Sequence, residues 1–91
     1  MSVIASYHSY DHTSMVFVSV IASFDTQGHI VPLYVRLDKE SYRISSCWAS
    51  KCHSGIVEFH CKLIDGNYEK PLLLTYYPAE QVWEVPGCIF T

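Results

Sequence analysis

From Met15 to Val85 the chain alternates apolar with polar or small residues at a period of two, the side-chain periodicity of a β-strand. Residues 15–24 place Val16, Val18, Val20, Ala22 and Phe24 on one face, and Met15, Phe17, Ser19, Ile21 and Ser23 on the other. The β-branched residues suit a pleated surface, and apolar side chains on both faces predict a strand that is central or covered. Residues 29–37 follow, with Val31, Leu33, Val35 and Leu37 on the expected core face. Pro32, in the opposite row, cannot donate to a ladder and belongs at an edge or a bulge. The third strand, 42–49, sets Tyr42, Ile44, Ser46 and Trp48 inward against Arg43, Ser45 and Cys47. Residues 56–65 carry the clearest half-buried pattern, with Val57, Phe59, Cys61 and Leu63 opposing Glu58, His60, Lys62 and Ile64. A fifth strand at 69–77 and a short sixth at 82–85 complete the set. No segment repeats apolar residues at 3.6-residue spacing, so no helix is expected.

The connections specify how these strands pair. Asp25-Thr26-Gln27-Gly28 joins an Asp that can bond the backbone to a Gly suited to positive φ, and residues 38–41 and 78–81 are further turns. Gly66-Asn67 is a two-residue hairpin connection. Pairing Phe24 with His29 brings Ala22 to Val31, Val20 to Leu33, Val18 to Val35 and Val16 to Leu37. Pairing Leu37 with Tyr42 brings Val35 to Ile44 and Val31 to Trp48. The Gly66-Asn67 turn brings Cys61 to Leu72, Phe59 to Leu74 and Val57 to Tyr76. Apolar partners meet throughout, and such agreement is what fixes register. The expected fold is an all-β, single-domain antiparallel meander of five to six strands. Short strands joined by tight turns remove their edges by curling, so an SH3-like or OB-like barrel or half-barrel follows. Residues 1–14, rich in Ser, Tyr and His and without periodicity, read as a loosely ordered N-terminal arm on a β domain spanning 15–91.

Composition narrows the class further. The 91 residues allow one core, and hydrophobic residues make up 49% against 16% charged, which excludes a disordered tail protein. The net charge of −3 weighs against nucleic acid or an anionic membrane as the dominant partner. Residues 1–10 contain no Lys or Arg and no continuous apolar run, and residues 15–24 are about half the length a membrane-spanning helix needs. The expectation is a cytoplasmic chain, with no membrane partner, whose Cys47, Cys52, Cys61 and Cys88 are reduced thiols.

The stretches SFDTQGHIVPLYVRL (23–37), YRI (42–44), EFHCKL (58–63) and VWEV (82–85) resemble a family of small uncharacterised bacterial β-rich proteins. The resemblance covers about residues 22–85. Its markers, Phe24-Asp25, Gly28, Pro32-Leu33, Tyr42, Ile44, Cys61 and Trp83, are all strand and turn positions. It implies a shared β fold and a bacterial source, and no activity, because no function is established for that family. The connection 50–55 departs from the family's more basic one.

Three constellations could carry chemistry. Cys47, Cys52 and His53, with His60 and Cys61 further along, are zinc-ligand types, but C-x4-C-H-x6-H-C is not a zinc-finger spacing. The strand reading also sends Cys61 inward and Cys47 outward, so small core and surface residues are the simpler account and no cofactor is expected. Cys52-His53 could form a nucleophile and base, yet adjacent side chains on an extended segment diverge and no oxyanion motif follows, so catalysis is not expected. The third is a basic and aromatic face of Tyr34, Arg36, Arg43, His60 and Lys62. The registers set Arg36 opposite Arg43 and, pairing Trp48 with Val57, Arg43 opposite Lys62, a row of like charges that an anionic ligand would relieve. The sequence thus supports a non-enzymatic protein-interaction or regulatory module, self-associating through outer apolar residues such as Phe17, Ile21, Ile30 and Leu73. The alternative is a small barrel that binds nucleic acid or another anionic ligand on the basic face.

Overall fold

In a computed structural model of the chain, residues 15–51 and 55–90 are described. The expected arm at residues 1–14 lies outside them, as do Cys52 and His53. Six strands follow in order: β1 (Met15–Phe24), β2 (Ile30–Leu37), β3 (Glu40–Lys51), β4 (Val57–Asp65), β5 (Tyr68–Tyr77) and β6 (Val82–Pro86). A four-residue 3-10 helix, Gly87–Phe90, comes after them. Each strand pairs antiparallel with its sequence neighbour and β6 returns to β1, so the sheet is a closed barrel. Closure satisfies the backbone groups that an open sheet would leave at its edges.

Two long strands turn the corners. Residues 15–18 of β1 pair with β6 and residues 19–24 pair with β2. In β3, residues 40–43 pair with β2 and residues 44–51 with β4. A strand that passes from one sheet to the next must bend sharply, and an extra residue in the ladder supplies the bend. The β3 bulge falls at this corner: Ile44 meets Leu63 and Ser46 meets Lys62, leaving Ser45 as the extra residue. A second bulge follows Pro32, where Ala22 meets Pro32 but Ile21 meets Tyr34, leaving Leu33 unopposed. Pro32 has no N–H to give to β1, and the ladder shifts by one directly after it.

Connection lengths and these bulges together account for where the sequence-derived pairing fails. The β4–β5 register is as expected, with Val57 at Tyr76, Phe59 at Leu74 and Cys61 at Leu72. In the first hairpin, however, Phe24 meets Ile30, Ala22 meets Pro32 and Val20 meets Val35, while Val16 and Val18 meet Val85 and Trp83 of β6. The second turn is only Asp38-Lys39, so Leu37 faces Glu40 and Val35 faces Tyr42. Asp38 takes φ 59°, in the left-handed region, which lets two residues reverse the chain. Between β3 and β4, Trp48 meets His60 rather than Val57, and Phe59 meets Ala49 rather than Ser46. Each extra residue inverts the in–out alternation beyond it. Val31 and Leu33 therefore face outward while Pro32 and Val35 are fully buried. Trp48 is 62% exposed, and Cys47 takes the inward position expected for its neighbours Ser46 and Trp48.

The barrel interior holds Val35, Ile44, Phe59, Cys61, Leu63, Leu72, Leu74, Tyr76, Trp83 and Val85. Trp83 is the aromatic centre, with ring centroids 4.4 Å from Tyr76 and 5.6 Å from Phe59. Val16, Val18 and Val20 pack against this core from β1, as their alternation requires.

Candidate functional site

Two outer surfaces of the barrel carry side chains that packing does not explain. The first lies on β1 and β2. Phe17 and Ile21, on the outward row of β1, are 55% and 64% exposed. Ile21 pairs with the exposed Tyr34, and the bulged Leu33 stands beside them. Met15 continues the row at the β6 end, opposite Pro86. Only Ser19 interrupts the apolar character of the β1 row between Met15 and Ile21. Ile30, expected outside, is half-buried against the core, again because of the first-hairpin shift.

The second surface lies on β3 and β4. Trp48 and His60 are direct cross-strand partners, and their rings stack at 4.0 Å with an interplanar angle of 8°. His60 Nε2 is 3.4 Å from the Ser50 hydroxyl, which steadies the imidazole beneath the indole. One step along β4, exposed Lys62 pairs with exposed Ser46. Beyond the bulge, exposed Arg43 pairs with Tyr34 of β2. The Ser45 hydroxyl has both Lys62 O, at 3.1 Å, and Glu69 Oε2, at 3.0 Å, within reach of its single proton, which fixes the bulge.

The expected basic row does not form. Arg36 faces Ser19 on one side and Ser41 on the other, Arg43 faces Tyr34, and Lys62 lies between Ser46 and Pro71. A turn two residues shorter than expected and the Ser45 bulge take the three cations out of direct opposition. Of the five candidate ligand residues, Tyr34 and Arg43 are brought together, and His60 and Lys62 share one outer face with Trp48. Arg36 stands apart. Among the described residues, the ion pairs are Asp25 with His29 and Asp65 with Lys70, so Arg36, Arg43 and Lys62 have no carboxylate partner.

Sequence reasoning missed Trp48 because its size made it look like core. No local signal separates the two phases of β3: that Ile44 and Cys47, three apart, both face inward across the Ser45 bulge is visible only in the structure.

The thiols read differently. Cys47 and Cys61 are directly opposed across β3 and β4. Burial, with a smaller contribution from Cys47, pushes the Cys61 thiol up to about 12, and burial also raises Cys47. Metal ligation and nucleophilic attack both need thiolate, which this environment disfavours. Among the described residues no group of three or more His, Cys, Asp or Glu is placed to hold a metal ion.

A cleft of about 340 Å³ opens at the barrel end between Leu37, Tyr42, Leu63 and Leu72, with Asp65 and Lys70 beside it. Lys70 Nζ lies 2.7 Å from Asp65 Oδ2, so the cation there is already neutralised. Burial, and then the nearby Glu40 carboxylate, raise the Tyr42 phenol above its ordinary value and keep it protonated.

No protein-family model, curated protein or solved structure matches this chain. Among the described residues no helix is long and apolar enough to cross a membrane.

Proposed function

We propose that this barrel is a non-enzymatic protein-interaction module that docks through the outer face of β1 and β2, with a second copy of the chain as its partner. The observation that carries this reading is the exposure of Phe17 and Ile21 on one row, flanked by Leu33 and Tyr34. Apolar side chains scattered singly on a surface are ordinary, whereas contiguous ones mark a contact that removes them from water. A face shared by two copies is self-complementary about a twofold axis, so one patch serves both sides. The aromatic and β-branched character of the row matches the centre of such an interface, and the hydroxyls of Ser19 and Ser23 supply its polar content.

Light scattering after size-exclusion chromatography tests this directly, on the native chain and on Ile21→Lys and Phe17→Glu. Both positions are exposed, so the variants should fold and melt like the native chain. The expected result is a concentration-dependent dimer in the native protein and a monomer in both variants. A native chain that remains monomeric across the accessible concentration range, or a dimer that both substitutions leave intact, refutes the proposal. The stacked Trp48 and His60 favour a second activity on a different face.

A further inference from the structure

The geometry points to a binding site for single-stranded nucleic acid on the outer face of β3 and β4, with the Trp48–His60 stack as the base platform. The site stands on Trp48, His60, Lys62 and Arg43, which lie on β3 and β4, and Tyr34 alone borders both this face and the β1–β2 interface. An indole that is 62% exposed on a barrel whose other tryptophan is 8% exposed needs an account. Hydrophobic packing does not give one, because the ring has left the core. His60 lies flat against one face of Trp48 at 4.0 Å, so the indole is held in a fixed plane instead of turning freely in solvent. Ser50 at 3.4 Å from His60 Nε2 holds the lower ring in turn. A flat aromatic surface fixed before the ligand arrives loses little entropy on binding, and it accepts any base because every base has a π-face.

Charge identifies the class of ligand. Lys62 projects from β4 one outward position from His60, and Arg43 lies beyond the bulge on β3. Neither has a carboxylate partner among the described residues. Beside Arg43 stands the second exposed aromatic, Tyr34. The face therefore runs from Trp48 and His60, through Lys62 and Ser46, to Arg43 and Tyr34: two stacking surfaces with two cations between them. Planar bases joined by phosphates fit that alternation, whereas an acidic peptide offers the charge without the planes. Duplex DNA buries its base faces and offers the phosphates alone. Glu58, half-buried opposite Ser50, marks the far end of the face, and the Glu69 carboxylate is engaged by Ser45. With a net charge of −3 there is no long-range steering, so the affinity rests on these few local contacts.

The test uses the intact chain and an oligo-dT of about ten nucleotides, within the usual span of small single-strand binding folds. At low salt, the oligonucleotide should quench tryptophan emission from Trp48, while buried Trp83 serves as the internal reference. Trp48→Phe keeps a ring and should retain binding as followed by anisotropy of a labelled oligonucleotide. Trp48→Ala should weaken it by about 5- to 150-fold, the range for one stacked base. Arg43→Glu with Lys62→Glu should abolish it and its salt dependence. Trp48, Arg43 and Lys62 are all exposed, and matching thermal melts confirm that each variant is folded. Absence of binding at low salt overturns the site. So does equal binding of duplex DNA or polyglutamate, or an affinity unchanged by Trp48→Ala.

Discussion

Replacing Phe59 by Ala should destabilise the barrel by about 3 to 5 kcal/mol, the usual cost of removing a buried aromatic side chain. Phe59 is 3% exposed at the middle of β4, opposite Leu74, which is fully buried. Its ring centroid lies 5.6 Å from that of Trp83, a contact worth about 0.5–1.5 kcal/mol beyond the area it buries. The hole cannot collapse easily, because β3 and β5 are hydrogen-bonded to either side of β4 and hold the wall in place. Closed barrels also lack a free edge strand that could shift inward. A domain of this size has about 5–14 kcal/mol of total stability, so the loss is a large share of it. The neighbouring Glu58→Ala removes an outward side chain opposite Ser50 and Thr75 and should cost no more than about 0.5 kcal/mol. Urea unfolding followed by Trp83 emission measures both, with an unchanged slope showing that the unfolding reaction is the same. If the two substitutions prove equally mild, the inward and outward faces of β4 are misassigned and the core described above is wrong.

Other predictions follow from the turns and thiols. Asp38→Gly should stabilise the chain by up to about 1 kcal/mol, because φ 59° strains an L-residue and suits glycine, while Asp38→Val should destabilise it; thermal melts decide. Asp25 titrates below its ordinary value because the His29 backbone N–H donates to its carboxylate at 2.8 Å, followed by the His29 ring contact at 2.9 Å. A depressed folded value means that this turn's contribution is present above the unfolded carboxylate value and lost as pH falls through the folded one. NMR titration should show the depressed Asp25 midpoint rise towards normal in His29→Ala, and an unmoved midpoint would remove the ring contact as a cause. Cys61 stays protonated through the neutral range, so an alkylating reagent followed by mass spectrometry should label it only as the barrel opens. Labelling at the rate of an unfolded cysteine would contradict its burial.

The sequence by itself determined the nature and approximate places of the strands, and their number to five or six, because a period of two can be read locally and turn residues mark its ends. It also determined the β4–β5 hairpin in full. Gly66-Asn67 admits one tight connection there, Gly66 takes the required positive φ of 63°, and no bulge intervenes. The outward positions of Phe17 and Ile21 were legible for the same reason, since β1 carries no extra residue of its own. The other registers were decided by tertiary structure. Closing six strands into a barrel forces β1 and β3 to serve two neighbours each, and the bends this requires are taken up at Leu33 and Ser45. Each extra residue inverts every later position on its strand, and either phase of β3 satisfies local preference. With Ser46 and Trp48 inward, the strand hides its largest ring; with Cys47 inward, a small thiol faces Cys61 and leaves room for Phe59 and Trp83. The structure takes the second, which places Trp48 over His60 on the outer surface. Pairwise pattern does not register where a closing sheet must bend, and the bulge at Ser45, taken up at the corner where β3 passes from β2 to β4, is what puts the Trp48 ring in solvent.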